Sequence, residues 1–166
     1  EEMAAAASSL KGQAQELVQA VAVFQLAPGA TAAIATTQAL ATNGQNLAAG
    51  NITLTGSSVD LSGSQTGAAN IAITANSGNV NTANATVATS GTAGVLAITA
   101  KTNNDQTLDN THGVLSAGQL NLDLANLNNT QGQITQTGVG DTSIALTSPT
   151  GTLNNTNGTI ATNSRS

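Results

Sequence analysis

The 166-residue chain has no cysteine, no tryptophan, no tyrosine and one phenylalanine. Without thiols there is no disulfide framework, no thiolate metal site and no cysteine nucleophile. Charge is scarce too: three basic and eight acidic residues give a formal net charge of −5. Nucleic-acid binding and basic membrane-surface patches both need clustered Lys and Arg, so this balance argues against each. No run approaches the roughly 18–20 apolar residues of a membrane span. No secretory signal is visible, but the chain opens on Glu1 rather than Met. The expectation is therefore a piece of a longer protein, in which a missing targeting segment carries no information.

The scarcity extends to catalytic chemistry. His112 is the single histidine, so neither a His-rich zinc site nor a Cys–His pair can be assembled. Asp60, Asp105, Asp109, Asp123 and Asp141 are scattered, and none are expected to share one structural position as the paired carboxylates of a glycosidase would. No Gly-rich phosphate loop with Lys occurs, and no Gly-Gly-x-Gly-x-Asp calcium repeat. Asn51, Asn84, Asn128, Asn154 and Asn157 begin Asn-x-Ser/Thr triplets, which an Asn- and Thr-rich chain generates by chance. The expectation is a protein that is not an enzyme, with no catalytic, cofactor-binding or metal residues and no cofactor.

What is present divides into two regions. Residues 1–27 are strong helix formers, and Met3, Ala7, Leu10, Ala14, Leu17, Val21 and Phe24 alternate at spacings of four and three. That is the apolar seam of a coiled-coil-like helix, although an amphipathic helix packed on any neighbour has the same pattern. Pro28-Gly29 ends it. Residues 28–46 lack a strong period and read as a linker or a degraded first coil, with the linker favoured. From Leu47 to Ser166 the pattern becomes short runs such as "NITLTGSSVDLSGS", "NIAITANSGNV" and "GQLNLDLANL", apolar at every second position. Period two with abundant Ile, Val and Thr predicts strands with one buried face. The same β-branched content argues against disorder, despite the polarity.

These strands repeat. Ile52, Ile71, Leu96, Leu120 and Ile144 are equivalent strand starts at intervals of 19, 25, 24 and 24 residues. The phrase Leu-x-Asn-Thr-x-Gly recurs from Leu108, Leu127 and Leu153, followed each time by an apolar residue at Leu115, Ile134 or Ile160. A period near 20 with two or three strands per unit predicts a solenoid. A β-sandwich gives similar strands but no verbatim corner phrase. In a parallel β-helix, equivalent residues stack about 4.8 Å apart. Leu108, Leu127 and Leu153 then form one interior stack, and Leu115, Ile134 and Ile160 a second. Asn110, Asn129 and Asn155 form an amide ladder at the bend. Gly113, Gly132 and Gly158 are expected to supply a positive φ at the corner, and His112 to face solvent beside it. Unequal intervals become corner loops, and uncapped ends invite self-association.

Two family resemblances follow from these words. "EEMAAAASSLKGQAQELVQAVAVFQL" resembles the C-terminal end of the signalling helix of methyl-accepting chemotaxis proteins, and the match implies Glu2 as a methylatable glutamate. Ala6 stands where that family usually has a small hydroxyl residue, and the kinase-coupling tip is absent. "LDNTHGVLSAGQLNLDLANLNNTQGQI" and "GTLNNTNGTIATNS" resemble the repeats of filamentous haemagglutinin-like exoproteins of two-partner secretion, over about residues 45–166. That resemblance implies a mainly β protein, a right-handed parallel β-helix preceded here by one α-helix. It further implies an extracellular or bacterial cell-surface shaft, in an adhesin or a contact-dependent inhibition stalk, meeting a host-cell or neighbouring-cell receptor or glycan. The receptor resemblance implies instead a cytoplasmic signalling tail with an appended extension.

Overall fold

A computed structural model describes residues 24–25 and 29–164. β1 (Phe24–Gln25) precedes six coils, each built from a long, a short and a medium strand. The first coil holds β2 (Ala32–Ala35), β3 (Leu40–Ala41) and β4 (Gln45–Leu47), and the second β5 (Asn51–Gly56), β6 (Val59–Asp60) and β7 (Gln65–Ala68). The third holds β8 (Asn70–Ala75), β9 (Val80–Asn81) and β10 (Thr86–Thr89), and the fourth β11 (Val95–Ala100), β12 (Thr107–Asp109) and β13 (Val114–Ala117). The fifth holds β14 (Gln119–Leu124), β15 (Asn126–Asn128) and β16 (Gln133–Gln136), and the sixth β17 (Ser143–Leu146), β18 (Leu153–Asn154) and β19 (Thr159–Ala161). Like strands of successive coils line up in three sheets: six long strands, six short ones and seven medium ones including β1. The pairings are parallel, which makes the fold a β-solenoid rather than a sandwich. Six rungs at about 4.8 Å give a rod roughly 25 Å long.

Alternation explains each wall. In β8, Ile71, Ile73 and Ala75 are buried while Ala72 and Thr74 are half-buried on the outside. The register then places like on like: Ile52, Ile71, Leu96 and Leu120 form one interior stack, and Leu54, Ile73, Ile98, Leu122 and Ile144 the next. Along the short strands runs Leu40, Val59, Val80, Leu108, Leu127 and Leu153. Along the medium strands the stack starts polar, with Asn46 and Thr66, and continues as Val87, Leu115, Ile134 and Ile160. Burying each Leu or Ile contributes about 1.5–3 kcal/mol relative to exposure, which offsets the ordering of so polar a chain. Aliphatic side chains fill most of the lumen, and Asn46, Thr66, Asn110 and Asn129 are among the polar side chains buried with them.

Three expectations are corrected. Of the two readings of residues 28–46, the favoured linker gives way to the first coil, since β2, β3 and β4 pair in register with the second coil. Phe24, placed on a helical seam by its spacing, lies in a strand opposite Asn46, while the rest of the expected N-terminal helix falls on residues outside those described. Ile144 pairs with Leu122 rather than Leu120, so that interval is 22 residues, not 24.

Candidate functional site

The recurring phrase occupies the corner between the short and the medium strand. From the second coil on, this corner is always four residues, for example 110–113, 129–132 and 155–158. The other two corners vary: 101–106 joins β11 to β12, where Ala125 alone joins β14 to β15. The unequal repeat lengths therefore come from two edges of the solenoid, and the third edge is constant.

The constant edge carries two polar ladders. The inner one is the expected amide stack: Asn110 Nδ2 donates to Asn129 Oδ1 at 2.7 Å, and Asn129 Nδ2 to Asn155 Oδ1 at 2.7 Å. Thr82 Oγ1 extends it one coil down by donating to Asn110 Oδ1 at 2.9 Å. Each amide also closes its own corner on the carbonyl of Gly113, Gly132 or Gly158, at 3.2, 3.3 and 3.2 Å. Asn110 and Asn129 are fully buried, so these bonds satisfy groups that would otherwise be desolvated without a partner.

The outer ladder uses the residue before each of these asparagines. Asp109 Oδ1 accepts from the backbone N–H and Oγ1 of Thr111 at 3.1 and 2.6 Å, an Asx turn that fixes the bend. Asn128 does the same for Thr130 and Asn154 for Thr156. The turns are stitched together: Asn128 Nδ2 donates to Asp109 Oδ1 at 3.1 Å, and Asn154 Nδ2 to Thr130 Oγ1 at 3.0 Å. Asp60 and Asn81 begin the same ladder, bonding Ser62 N and Ala83 N. Asp60 and Asp109 thus share one coil position, two rungs apart with Asn81 between, contrary to the expectation that no two aspartates would. Both carboxylates serve as turn acceptors.

The corner glycines act differently from the expectation. The positive φ falls one residue earlier, at His112 (55°), Gln131 (54°) and Asn157 (54°), and at Asn84 (57°) in the third coil. Glycine follows because no Cβ fits. At Gly132 it would lie 2.2 Å from the Asn110 carbonyl oxygen and 2.5 Å from Asn129 Oδ1, and Gly113 and Gly158 are crowded the same way. His112 is exposed, as its place in the phrase suggests.

A second feature sits on a variable corner. Loops 76–79 and 101–106 enclose a polar depression of about 590 Å³ walled by Ser77, Asn79, Thr102, Asn103, Asn104 and Asp105. Gln106 anchors it from inside, donating to the carbonyls of Ala75 and Gly78 at 3.0 and 2.6 Å and accepting from Asn103 N at 2.8 Å. Nearby, Lys101 pairs with Asp123 across a rung of the long sheet. No group of three His, Cys, Asp or Glu side chains gathers among the described residues.

The nine repeat anchors, Leu108, Asn110, Gly113, Leu127, Asn129, Gly132, Leu153, Asn155 and Gly158, therefore converge on one edge. Leu153 and Asn155 differ from the rest in being exposed. Glu2 lies outside the described residues. The outer ladder is not among the expectations from sequence, although Asp60, Asn81, Asp109, Asn128 and Asn154, each after Val or Leu, are its signal.

No family model matches the chain, and no solved structure does. It is similar to Toxin CdiA of Yersinia pestis, 54% identical over 99 residues, which cover 60% of this chain and 3% of that protein. The chain thus spans a small fraction of that relative's length. Among the described residues, no helix is long and apolar enough to cross a membrane.

Proposed function

We propose that the chain is a shaft segment of a large bacterial exoprotein of the filamentous haemagglutinin-like, contact-dependent inhibition kind, secreted or held at the cell surface. The observation that carries this is a 54% identity to a stretch of a CdiA toxin, falling on a chain that folds as an unbroken parallel solenoid. Stacked coils give length and stiffness from short repeats, which is what a spacer between an anchor and a distant active end requires. The segment has no catalytic role: the carboxylates of the outer ladder are engaged in turns and the amides of the inner ladder bond one another. It uses no cofactor. Its part in adhesion is to present the variable corners, including the depression beside Asp105, to a glycan or receptor on the facing cell.

A chimaera tests the shaft. The matching stretch of the Yersinia toxin is replaced by this chain's, and surface display is scored by protease accessibility on intact cells. Display at the parent level is expected. A chimaera retained inside the cell or degraded during export refutes the reading. Adhesion is tested separately by depletion of labelled chain onto whole cells. If no binding saturates, adhesion falls while the shaft reading stands.

A further inference from the structure

Ala125 alone turns the fifth coil from its long to its short strand, whereas the fourth coil uses residues 101–106. Ordering such an insertion costs conformational entropy. This one is tied down from three directions. Gln106, buried inside the rod, holds it to the carbonyls of Ala75 and Gly78. Asn103 Nδ2 donates to the Ser77 carbonyl of the coil below at 2.8 Å, and Asn126 Nδ2 of the coil above donates to the Asn104 carbonyl at 2.7 Å. The depression beside the loop is therefore preorganised, so a ligand does not have to order its walls.

With Asn103 and Gln106 engaged in holding the loop, Thr102, Asn104 and Asp105 remain exposed along the depression, with Ser77 and Asn79 also in its wall. Asn79 Oδ1 accepts from Thr107 N at 2.9 Å, which leaves its Nδ2 as a donor. Hydroxyls and amides both donate and accept, and the carboxylate accepts on two oxygens. No apolar side chain lines the wall, so an aliphatic ligand finds nothing to bury against. Asp105 is the single charge there, and Lys101, the one basic side chain among the described residues, is paired with Asp123. An anionic ligand is therefore repelled, and one carboxylate is too few for a calcium cage. Mixed donors and acceptors with no cation and no apolar wall suit an uncharged polyhydroxyl compound. We propose that the depression between loops 76–79 and 101–106 binds a short neutral oligosaccharide, whose hydroxyls donate to Asp105 and exchange hydrogen bonds with Asn104, Thr102 and Asn79. This rests on the adhesive reading of the variable corners and gives it a ligand class and a place. With no aromatic ring to stack on a sugar face, binding depends on hydrogen bonds made in exchange for water, and Kd is on the order of 1 mM.

Nitrogen–proton correlation NMR of the full chain tests the site, by titration with uncharged trisaccharides of glucose, galactose, mannose and N-acetylglucosamine. At least one is expected to shift the amides of Ser77, Asn79 and residues 102–105 saturably. A sialylated and a sulfated trisaccharide bind about fivefold more weakly or not at all. Asp105→Asn and Asn104→Ala, both at exposed positions, each weaken binding by about fivefold or more while the amides of β5–β7 keep their shifts. Asp141→Asn, a carboxylate on another loop, leaves binding unchanged. The inference is overturned if no uncharged trisaccharide saturates, if the saturating shifts fall elsewhere, if the anionic sugars bind as tightly, or if both variants bind like the parent. Saturable shifts of the same amides with calcium chloride alone would overturn it in favour of a cation. Failure of the site and failure of adhesion read differently. Cells that still bind a chain carrying both substitutions keep adhesion and overturn the depression as its site. Cells that bind neither chain, with trisaccharide binding intact, overturn adhesion alone.

Discussion

Asn129→Ala is the sharpest probe of the corner ladder. The side chain is completely buried and joins three coils. It accepts from Asn110, and it donates to Asn155, to the Gly132 carbonyl and, at 3.1 Å, to the Thr159 carbonyl. Truncation leaves the Gly132 carbonyl its bond from the Thr159 N–H at 2.9 Å, but weakens the satisfaction of Asn110, whose remaining acceptors lie at 3.2 and 3.4 Å. At about 1–3 kcal/mol for a buried polar group left unsatisfied, the loss comes to roughly 2 kcal/mol. For a chain of this size that lowers Tm by roughly 4–8 °C. Asn155→Ala removes the same kind of side chain where water can replace it, and should cost about 0.5 kcal/mol. Calorimetry measures both, and hydrogen exchange locates the damage. Because coils contact mainly their neighbours, amides of β17–β19 should lose protection while those of β5–β7 keep theirs. A cost within about 0.5 kcal/mol for Asn129→Ala, or an equal cost for Asn155→Ala, would refute the claim that the buried amide stack holds the corner.

Other substitutions separate neighbouring roles. Leu127→Ala should cost about 2–5 kcal/mol and Leu153→Ala less than about 1, by urea denaturation, because the first residue is 1% exposed and the second 54%. Gly132→Ala should destabilise by more than about 2 kcal/mol through backbone displacement, whereas Gln131→Gly stays within about 1. Gln131→Val, a β-branched residue forced to positive φ, should cost about 1–2 kcal/mol; equal effects at positions 131 and 132 would overturn the division of labour between them. A broad-specificity protease should leave a fragment beginning near residue 30, read by intact mass. A start beyond Leu47 would remove the first coil from the folded unit.

Much of the fold is legible in the sequence, and what is not has identifiable causes. The ladder can be read from Leu108, Leu127 and Leu153 because three successive coils keep the same corner words. The earlier coils hide the same corner behind substitutions the geometry tolerates. Leu61 and Thr82 stand where asparagine stands later: Leu61 is buried as an apolar plug, and Thr82 reaches Asn110 with its hydroxyl. The first coil is obscured by Ala32 on the inner wall, a side chain too small to mark alternation. The register of β17 cannot be read from period two, since Leu120, Leu122 and Leu124 repeat at the same spacing and a slip by one pleat looks identical. Conformational freedom alone assigns positive φ to glycine. Glycine here answers to contact, with a carbonyl one rung below, and no single-chain pattern announces that neighbour. Alternation foretells neither the polar start of the medium-strand stack nor the depression built by loops 76–79 and 101–106, because both depend on which coils become adjacent.

The constant four-residue corner has an evolutionary consequence. Duplicating or deleting a coil within the Asn-Thr-x-Gly run preserves the ladder bonds as long as the joint falls at equivalent residues, so length can change there by whole rungs at little structural risk. Loops such as 101–106 and 137–142 lengthen at the other two edges without touching the ladders. Variation is thereby channelled: one seam keeps its four-residue length from the second coil on, with the words Asn-Thr-x-Gly in the last three coils, and two are left free to vary.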